Sequence, residues 1–290
     1  MNALSGRLIS RMNGIGNEIL VLDLRGTPAI VSPADARAIH RAPRLHFDQL
    51  MVLRDRKTPG TEAFVLIYNN DGSLSGSCGN GSRCVAYRLM QDGAQDRISI
   101  ETERGVLECW KLGEHMFRVD MGAPRLGWNE IPLRHEVADT RSFALAGEVR
   151  NFPGLPNPAA VSMGNPHAVF FTGNDFSGDF RALGPQIECD AMFPQRANVS
   201  FARIAARDHI LLNVWERGVG ATQACGSAAC ATLVAAVRAG LSDRRAQITL
   251  PGGDLTIEWR ESDDHVLMTG PVELEFEMRL DAAVFEGAAP

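Results

Sequence analysis

Two copies of one short pattern sit about half a chain apart: Ser77-Cys78-Gly79-Asn80-Gly81-Ser82-Arg83-Cys84 and Ala224-Cys225-Gly226-Ser227-Ala228-Ala229-Cys230. Cys78 and Cys225 are separated by 147 positions, and three further polar landmarks repeat in the same order at nearly that offset. Asn17 matches Asn165 at 148, Gln49 matches Asn198 at 149, and Asn69 and Glu216 each stand nine residues before their cysteine. A chain of 290 residues with such a repeat is expected to fold as two halves of like design. The division is expected as 1–125 and 126–271, with 272–290 returning to the first half.

Each cysteine-glycine pair opens a small-residue segment that reads as a helix. Each segment stops at a glycine fifteen residues on, Gly93 and Gly240. Val85 and Leu89, and Leu233, Val234 and Val237, are ordinary core residues for such helices. The run from Ala228 to Val237 could be buried all round. Around them the chain reads as short strands: 64–68, 98–102, 117–121, 210–214, 255–259 and 272–276. Asp71-Gly72 and Pro251-Gly252-Gly253 mark turns, and Asn151 to Pro158 reads as a surface loop. The fold class that follows is α+β, two pseudo-twofold-related domains with one prominent buried helix each and a site in the cleft between them.

A thiol at a helix N-terminus feels the positive end of the macrodipole, which favours its thiolate. Two matched thiols suggest an acid/base pair serving opposite faces of one carbon. Gly79-Asn80-Gly81 and Gly226-Ser227 have so little bulk that a carboxylate or phosphate could reach the N–H groups behind them. The other four cysteines are expected to be small buried residues. Cys84 follows Cys78 by six positions and Cys230 follows Cys225 by five, turning about 240° and 140° around a helix. Neither pair shares a face, which weakens a zinc reading, and no metal is expected.

Composition excludes other classes. The net charge of −6, with no basic run, argues against nucleic acid as a partner. No apolar run approaches a membrane span. The opening Met1 to Leu8 lacks the apolar stretch of a signal peptide, and six cysteines without one fit a reducing, cytoplasmic setting.

The ordered set of motifs resembles the diaminopimelate epimerase family. Its pieces are Met12-Asn13-Gly14-Ile15-Gly16-Asn17, Phe47-Asp48-Gln49, Asn69-Asn70-Asp71-Gly72-Ser73, the two cysteine motifs, Gly164-Asn165-Pro166-His167, Asn198-Val199, Glu216-Arg217-Gly218 and Leu250-Pro251-Gly252-Gly253. Three departures are mild: Ala221 where an acidic residue is frequent, Ser200 for glycine and Glu18 for aspartate. The resemblance implies a mostly antiparallel, barrel-like sheet around a central helix in each half. It also implies cofactor-independent conversion of LL-diaminopimelate to the meso form in lysine and peptidoglycan precursor synthesis, by a homodimer.

On that resemblance Cys78 and Cys225 are the catalytic pair. Asn69, Gly79, Asn80, Glu216, Arg217, Gly226 and Ser227 hold the reacting amino acid, and Asn17, Gln49, Asn165 and Asn198 its distal end. His167 and Glu216 are expected to help keep one thiol ionised and its partner protonated. Against this, His167 alone reads as a packed strand histidine, and Glu216-Arg217 as a surface ion pair of little worth. Three rival readings stand beside it. One is a cofactor-free racemase or isomerase for another amino acid. A second, a pyridoxal-phosphate enzyme, is poorly served by Lys57 and Lys111, the only lysines. The third is a redox or binding protein using a reversible Cys78–Cys225 disulfide.

Overall fold

The computed structural model describes residues 2–76, 78–91 and 95–286. Ser77 of the first cysteine motif and Gly93, the expected stop of its helix, lie outside the described residues. Contacts divide the chain into two units. One runs to Val119 and resumes at Gly270, and the other is Asp120–Thr269.

The first unit contains β1 (Leu8–Asn13), β2 (Glu18–Asp23), α1 (Pro33–Arg41), β3 (Gln49–Arg54), β4 (Phe64–Asn69) and β5 (Leu74–Ser75). It continues with α2 (Gly79–Met90), β6 (Arg97–Thr102), β7 (Gly105–Lys111) and β8 (Met116–Asp120), whose last residue belongs to the second unit. β1 pairs antiparallel with β2, and β2 pairs parallel with β3 across α1. β3, β4 and β5 pair antiparallel, and β4 meets β6 in parallel across α2. β6, β7 and β8 complete a meander.

The second unit repeats this wiring with β9 (Ala159–Ser162), β10 (Pro166–Phe171), α3 (Phe180–Glu188), β11 (Asn198–Ala206), β12 (His209–Glu216) and β13 (Gly220–Thr222). After them come α4 (Gly226–Arg238), β14 (Arg245–Leu250), β15 (Gly253–Trp259) and β16 (Val266–Pro271), which ends across the boundary. β9–β10 is antiparallel, β10–β11 parallel across α3, and β12–β14 parallel across α4. A last strand, β17 (Glu273–Arg279), lies antiparallel to β1 with a bulge at Arg11/Met12. The architecture is the expected α+β, mixed and mostly antiparallel.

Each cysteine-led helix is the hub of its sheet. α2 packs on β2, β3, β6 and β7, and α4 on β9, β10, β11, β14 and β15. A helix contacted from so many sides must be slim, which explains the alanine-rich sequence of α4, buried from Ala228 through Ala236. Gly240, just past its end, takes the left-handed φ of +71° that stops a helix.

α1 and α3 were not expected. They are the crossovers that parallel pairing demands. Ser32 caps α1 in a reciprocal capping box with Asp35, and Pro33 begins the helix. Each covers a second core. Ile39, Leu22, Leu50 and Phe47 pack beneath α1; Leu183 and Ile187 of α3 pack with Phe170, Val199 and Phe201. Each such buried side chain contributes roughly 1.5–3 kcal/mol.

Candidate active site

Cys78 is the N-cap of α2. Its backbone is extended, with φ −149°, and its Sγ accepts the Gly81 N–H at 3.1 Å. Its carbonyl accepts the Ser82 N–H, so the N–H groups of Gly79 and Asn80 have no acceptor within the helix. Gly81 is small for a reason: a Cβ there would stand 2.5 Å from Met51 Sδ and 3.2 Å from Cys78 Sγ. Asn80 is buried, and its Oδ1 has no hydrogen-bond partner among the described residues. An unused buried acceptor is costly.

β2 and β3, which pack on α2, carry the neighbouring polar residues. Asn17 Nδ2 donates to Asp48 Oδ2 at 2.8 Å, and the same oxygen accepts the Glu18 N–H. Gln49 stands opposite Asn69 in the β3–β4 register, with Nε2 3.4 Å from Asn69 Oδ1. Asn69 in turn donates to Ser73 Oγ at 3.0 Å. The turn before Asn17 is strained, because Ile15, a β-branched residue, has φ +57°.

The second unit builds the same frame. Cys225 is the N-cap of α4, with φ −136°, and its Sγ lies 3.6 Å from Ser227 Oγ. Asn165 Nδ2 approaches Ser227 Oγ at 3.5 Å, and its Oδ1 meets His167 Nε2 at 3.0 Å. His167 stands opposite Asn198 in β10–β11. Asn198 Oδ1 accepts the Arg217 N–H at 3.0 Å. Glu216 ends β12, with Oε1 accepting from Thr222 Oγ1 at 2.6 Å, and Arg217 reaches the Gln195 carbonyl. Even the turns correspond: Gly16 and Gly164, each preceding its asparagine, have φ +85° and +89°.

Burial sets the electrostatics of two site residues, and one further cysteine departs from expectation. Cys225 is pushed well above the ordinary thiol range, by burial first and by the Glu216 carboxylate second, with Ser227 offsetting part. Desolvation therefore outweighs the helix mouth, and this thiol is held protonated. His167 is wholly buried and pushed down to about 3 by burial and by Arg217, so its imidazole is neutral and lends no positive charge to a thiolate. Its Nδ1 has no hydrogen-bond partner among the described residues. Cys189 is exposed, not buried as expected, because it is the residue just past the end of α3. Cys84, Cys109 and Cys230 are buried as expected, and burial pushes Cys84 up to about 12.

Residues that hold the site were not singled out from sequence. Asp48, Ser73 and Thr222 each bind an expected site residue. Asp48 adjoins Gln49 in sequence, and Ser73 follows Asn69 by four residues across the Asp71-Gly72 turn. Of the three departures, Ala221 is exposed in β13, and Ser200 is buried with its Oγ unpartnered among the described residues. Glu18 meets Arg11 at 2.5 Å.

Two α+β units of one wiring, each with a cysteine capping its hub helix, place the chain in a structural class that includes known epimerases. A hydroxyproline epimerase from Agrobacterium vitis superposes with a TM-score of 0.69 at 14% identity, covering 97% of this chain and 94% of that one. At that identity the likeness is one of fold. The family model described as diaminopimelate epimerase matches residues 10–127 and 159–275. Diaminopimelate epimerases from Rhodopseudomonas palustris (strain BisB18) and Methylocella silvestris are each 56% identical over 289 residues, covering all of both chains. The chain belongs to the diaminopimelate epimerase family.

Proposed function

We propose that this protein is an isomerase that converts LL-diaminopimelate to meso-diaminopimelate without a cofactor, using Cys78 and Cys225 as its acid and base. In each direction one cysteine, as thiolate, takes the α-proton. The other, as thiol, delivers a proton to the opposite face, so the α-carbon inverts and the two sulfurs exchange protonation states. The observation that carries this reading is the cysteine at the N-cap of both hub helices in a member of this family. General acid/base work of this kind contributes about 10²–10⁴-fold, and orientation and fixed dipoles must supply the rest.

The α-carboxylate is received by the N–H groups of Gly79, Asn80, Gly226 and Ser227, which stabilise the charge that grows as the proton leaves. The unused Oδ1 of Asn80 suits the α-ammonium. Asn69, Glu216 and Arg217 complete the grip on the reacting end, while Asn17, Gln49, Asn165 and Asn198 take the distal amine and carboxylate. Burial, and after it the Glu216 carboxylate, keep Cys225 protonated, as a resting acid needs to be. Neutral His167 orients Asn165 through their hydrogen bond. The reading takes 1–125, with 272–290, and 126–271 as its two halves, each supplying one thiol to the same substrate carbon. It also makes the protein a cytoplasmic homodimer of lysine and peptidoglycan precursor synthesis, with no nucleic-acid or membrane partner. Among the described residues no helix is long and apolar enough to cross a membrane.

The test is NMR of LL-diaminopimelate in D₂O with reduced protein, beside Cys78→Ala and Cys225→Ala. Deuterium should enter at the α-carbon with inversion in the parent, and neither variant should invert. Inversion by either variant at the parent's rate would end the two-thiol reading.

A further inference from the structure

Glu188, the last residue of α3, is only 6% exposed, yet it carries a carboxylate. Its Oε1 accepts the Gly218 N–H at 2.9 Å and lies 3.1 Å from Arg196 Nη1. Its Oε2 accepts the Trp215 indole N–H at 2.8 Å. Trp215 and Gly218 bracket Glu216 and Arg217 in sequence, so one carboxylate grips the chain on both sides of two residues assigned to substrate.

The surroundings keep that grip stiff. The Trp215 ring lies against Gly184 of α3, where a Cβ would come within 2.5 Å of Trp215 Cγ. Arg196 is held with φ +58°, and the next N–H, of Ala197, donates to the Glu188 carbonyl at 3.1 Å. From the other side the Arg217 N–H is held by Asn198. Burying a carboxylate is expensive unless its lone pairs are used, and here three donors use them. Its charge also offsets the cost to Arg217, whose guanidinium is disfavoured by burial and by Arg196.

We infer that Glu188 is a positioning residue for the reaction, fixing the Glu216–Arg217 turn from behind so that both side chains meet the substrate. The inference rests on the reading of the site given above. Glutamine is the informative replacement. It matches the shape of Glu188 but has one acceptor oxygen, so its NH₂ must face either the Trp215 indole N–H or the Gly218 N–H, donor against donor.

The experiment compares Glu188→Gln, Arg217→Lys and the double variant with the parent, by α-deuterium exchange from LL-diaminopimelate and by ¹⁵N–¹H spectra. The expected result is a fall in kcat/KM of about 10- to 10²-fold for Glu188→Gln. The Trp215 indole and Gly218 amide peaks should both move. In the Arg217→Lys background the further loss should shrink to a small factor, because Glu188 acts through a turn already impaired. A kcat/KM within twofold of the parent, or losses that multiply in full, would overturn the inference. If Glu188→Gln does not fold, Trp215→Phe removes one of the gripped donors, and the same fall and the same shrinkage are required of it. If the parent itself shows no exchange, the functional reading fails, and the two peaks alone judge Glu188: movement of both supports the grip, and unmoved peaks refute it.

Discussion

Replacing Gly81 by alanine separates what the α2 mouth does for folding from what it does for chemistry. The added methyl falls 2.5 Å from Met51 Sδ, 2.8 Å from Met51 Cε and 3.2 Å from Cys78 Sγ. Ordinary carbon contacts lie at roughly 3.5–4.0 Å, and sulfur is larger than carbon, so all three atoms must yield. Met51 is flexible but wholly buried, and overpacking of that kind costs about 1–3 kcal/mol. Alanine in a helix regains about 1 kcal/mol over glycine, leaving a net loss of roughly 0–2 kcal/mol. A domain stable by about 5–15 kcal/mol survives that loss. The sulfur fares worse, because it must swing away from the methyl and from the Gly81 N–H that now meets it at 3.1 Å. Misplacement by about 1 Å costs on the order of 10²-fold in rate. We therefore expect a fall of a few degrees in Tm together with a loss of at least about tenfold in α-deuterium exchange. Adding Met51→Ala should return the space beside β3 and some of the Tm without restoring the rate, since the contact with Cys78 persists. A single variant with a normal exchange rate, or a double variant restored to full rate, would show that Gly81 makes room for Met51 and does not set the thiol.

Two further outcomes test the packing and the charges. His167, at about 3 in the fold against about 6.5 unfolded, makes the unfolded chain bind the extra proton between those values. Stability should thus fall by about 2–3 kcal/mol from pH 8 to pH 4.5 on its account, and denaturant titrations of His167→Gln should show that much less acid sensitivity; an unchanged slope would mean the imidazole is not buried neutral. Ser32→Ala removes the α1 capping box and should cost about 1 kcal/mol in urea unfolding while leaving kcat unchanged. A change in kcat would connect α1 to the site.

What could be read without coordinates was what is written locally. A cysteine and glycine followed by small residues spell a helix start, and alternating β-branched residues such as Ile98 to Thr102 spell a strand. α1 and α3 are only nine residues long, and α3 contains Pro185, so propensity spoke against one and length against both. Yet Ser32-Pro33-Ala34-Asp35 was a legible helix start. Glu188 could not be found this way, because 30 positions separate it from Gly218 and only the packing of α3 on β12 joins them. The protonation of Cys225 was hidden for the same reason. A helix mouth can be inferred from Cys225-Gly226, but the opposing cost of burial exists only once the chain has closed around it.

The repeat explains why one frame can serve two opposite tasks. Register by register the units agree: an asparagine follows a left-handed glycine in both, and a long polar residue ends β4 and β12 at matched places. They differ in what that last residue is. Asn69 is a neutral amide spent on Gln49 and Ser73, whereas Glu216 is a carboxylate beside the sulfur of its own unit. A carboxylate raises the cost of ionising its neighbouring thiol, and an amide adds no such charge. In the reading proposed above, inversion of a carbon needs one thiol charged and one neutral at the start of each turnover. Two identical frames would leave that choice undecided. The deeper burial of Cys225, and after it the exchange of an amide for a carboxylate at one repeated position, supply that bias in this reading.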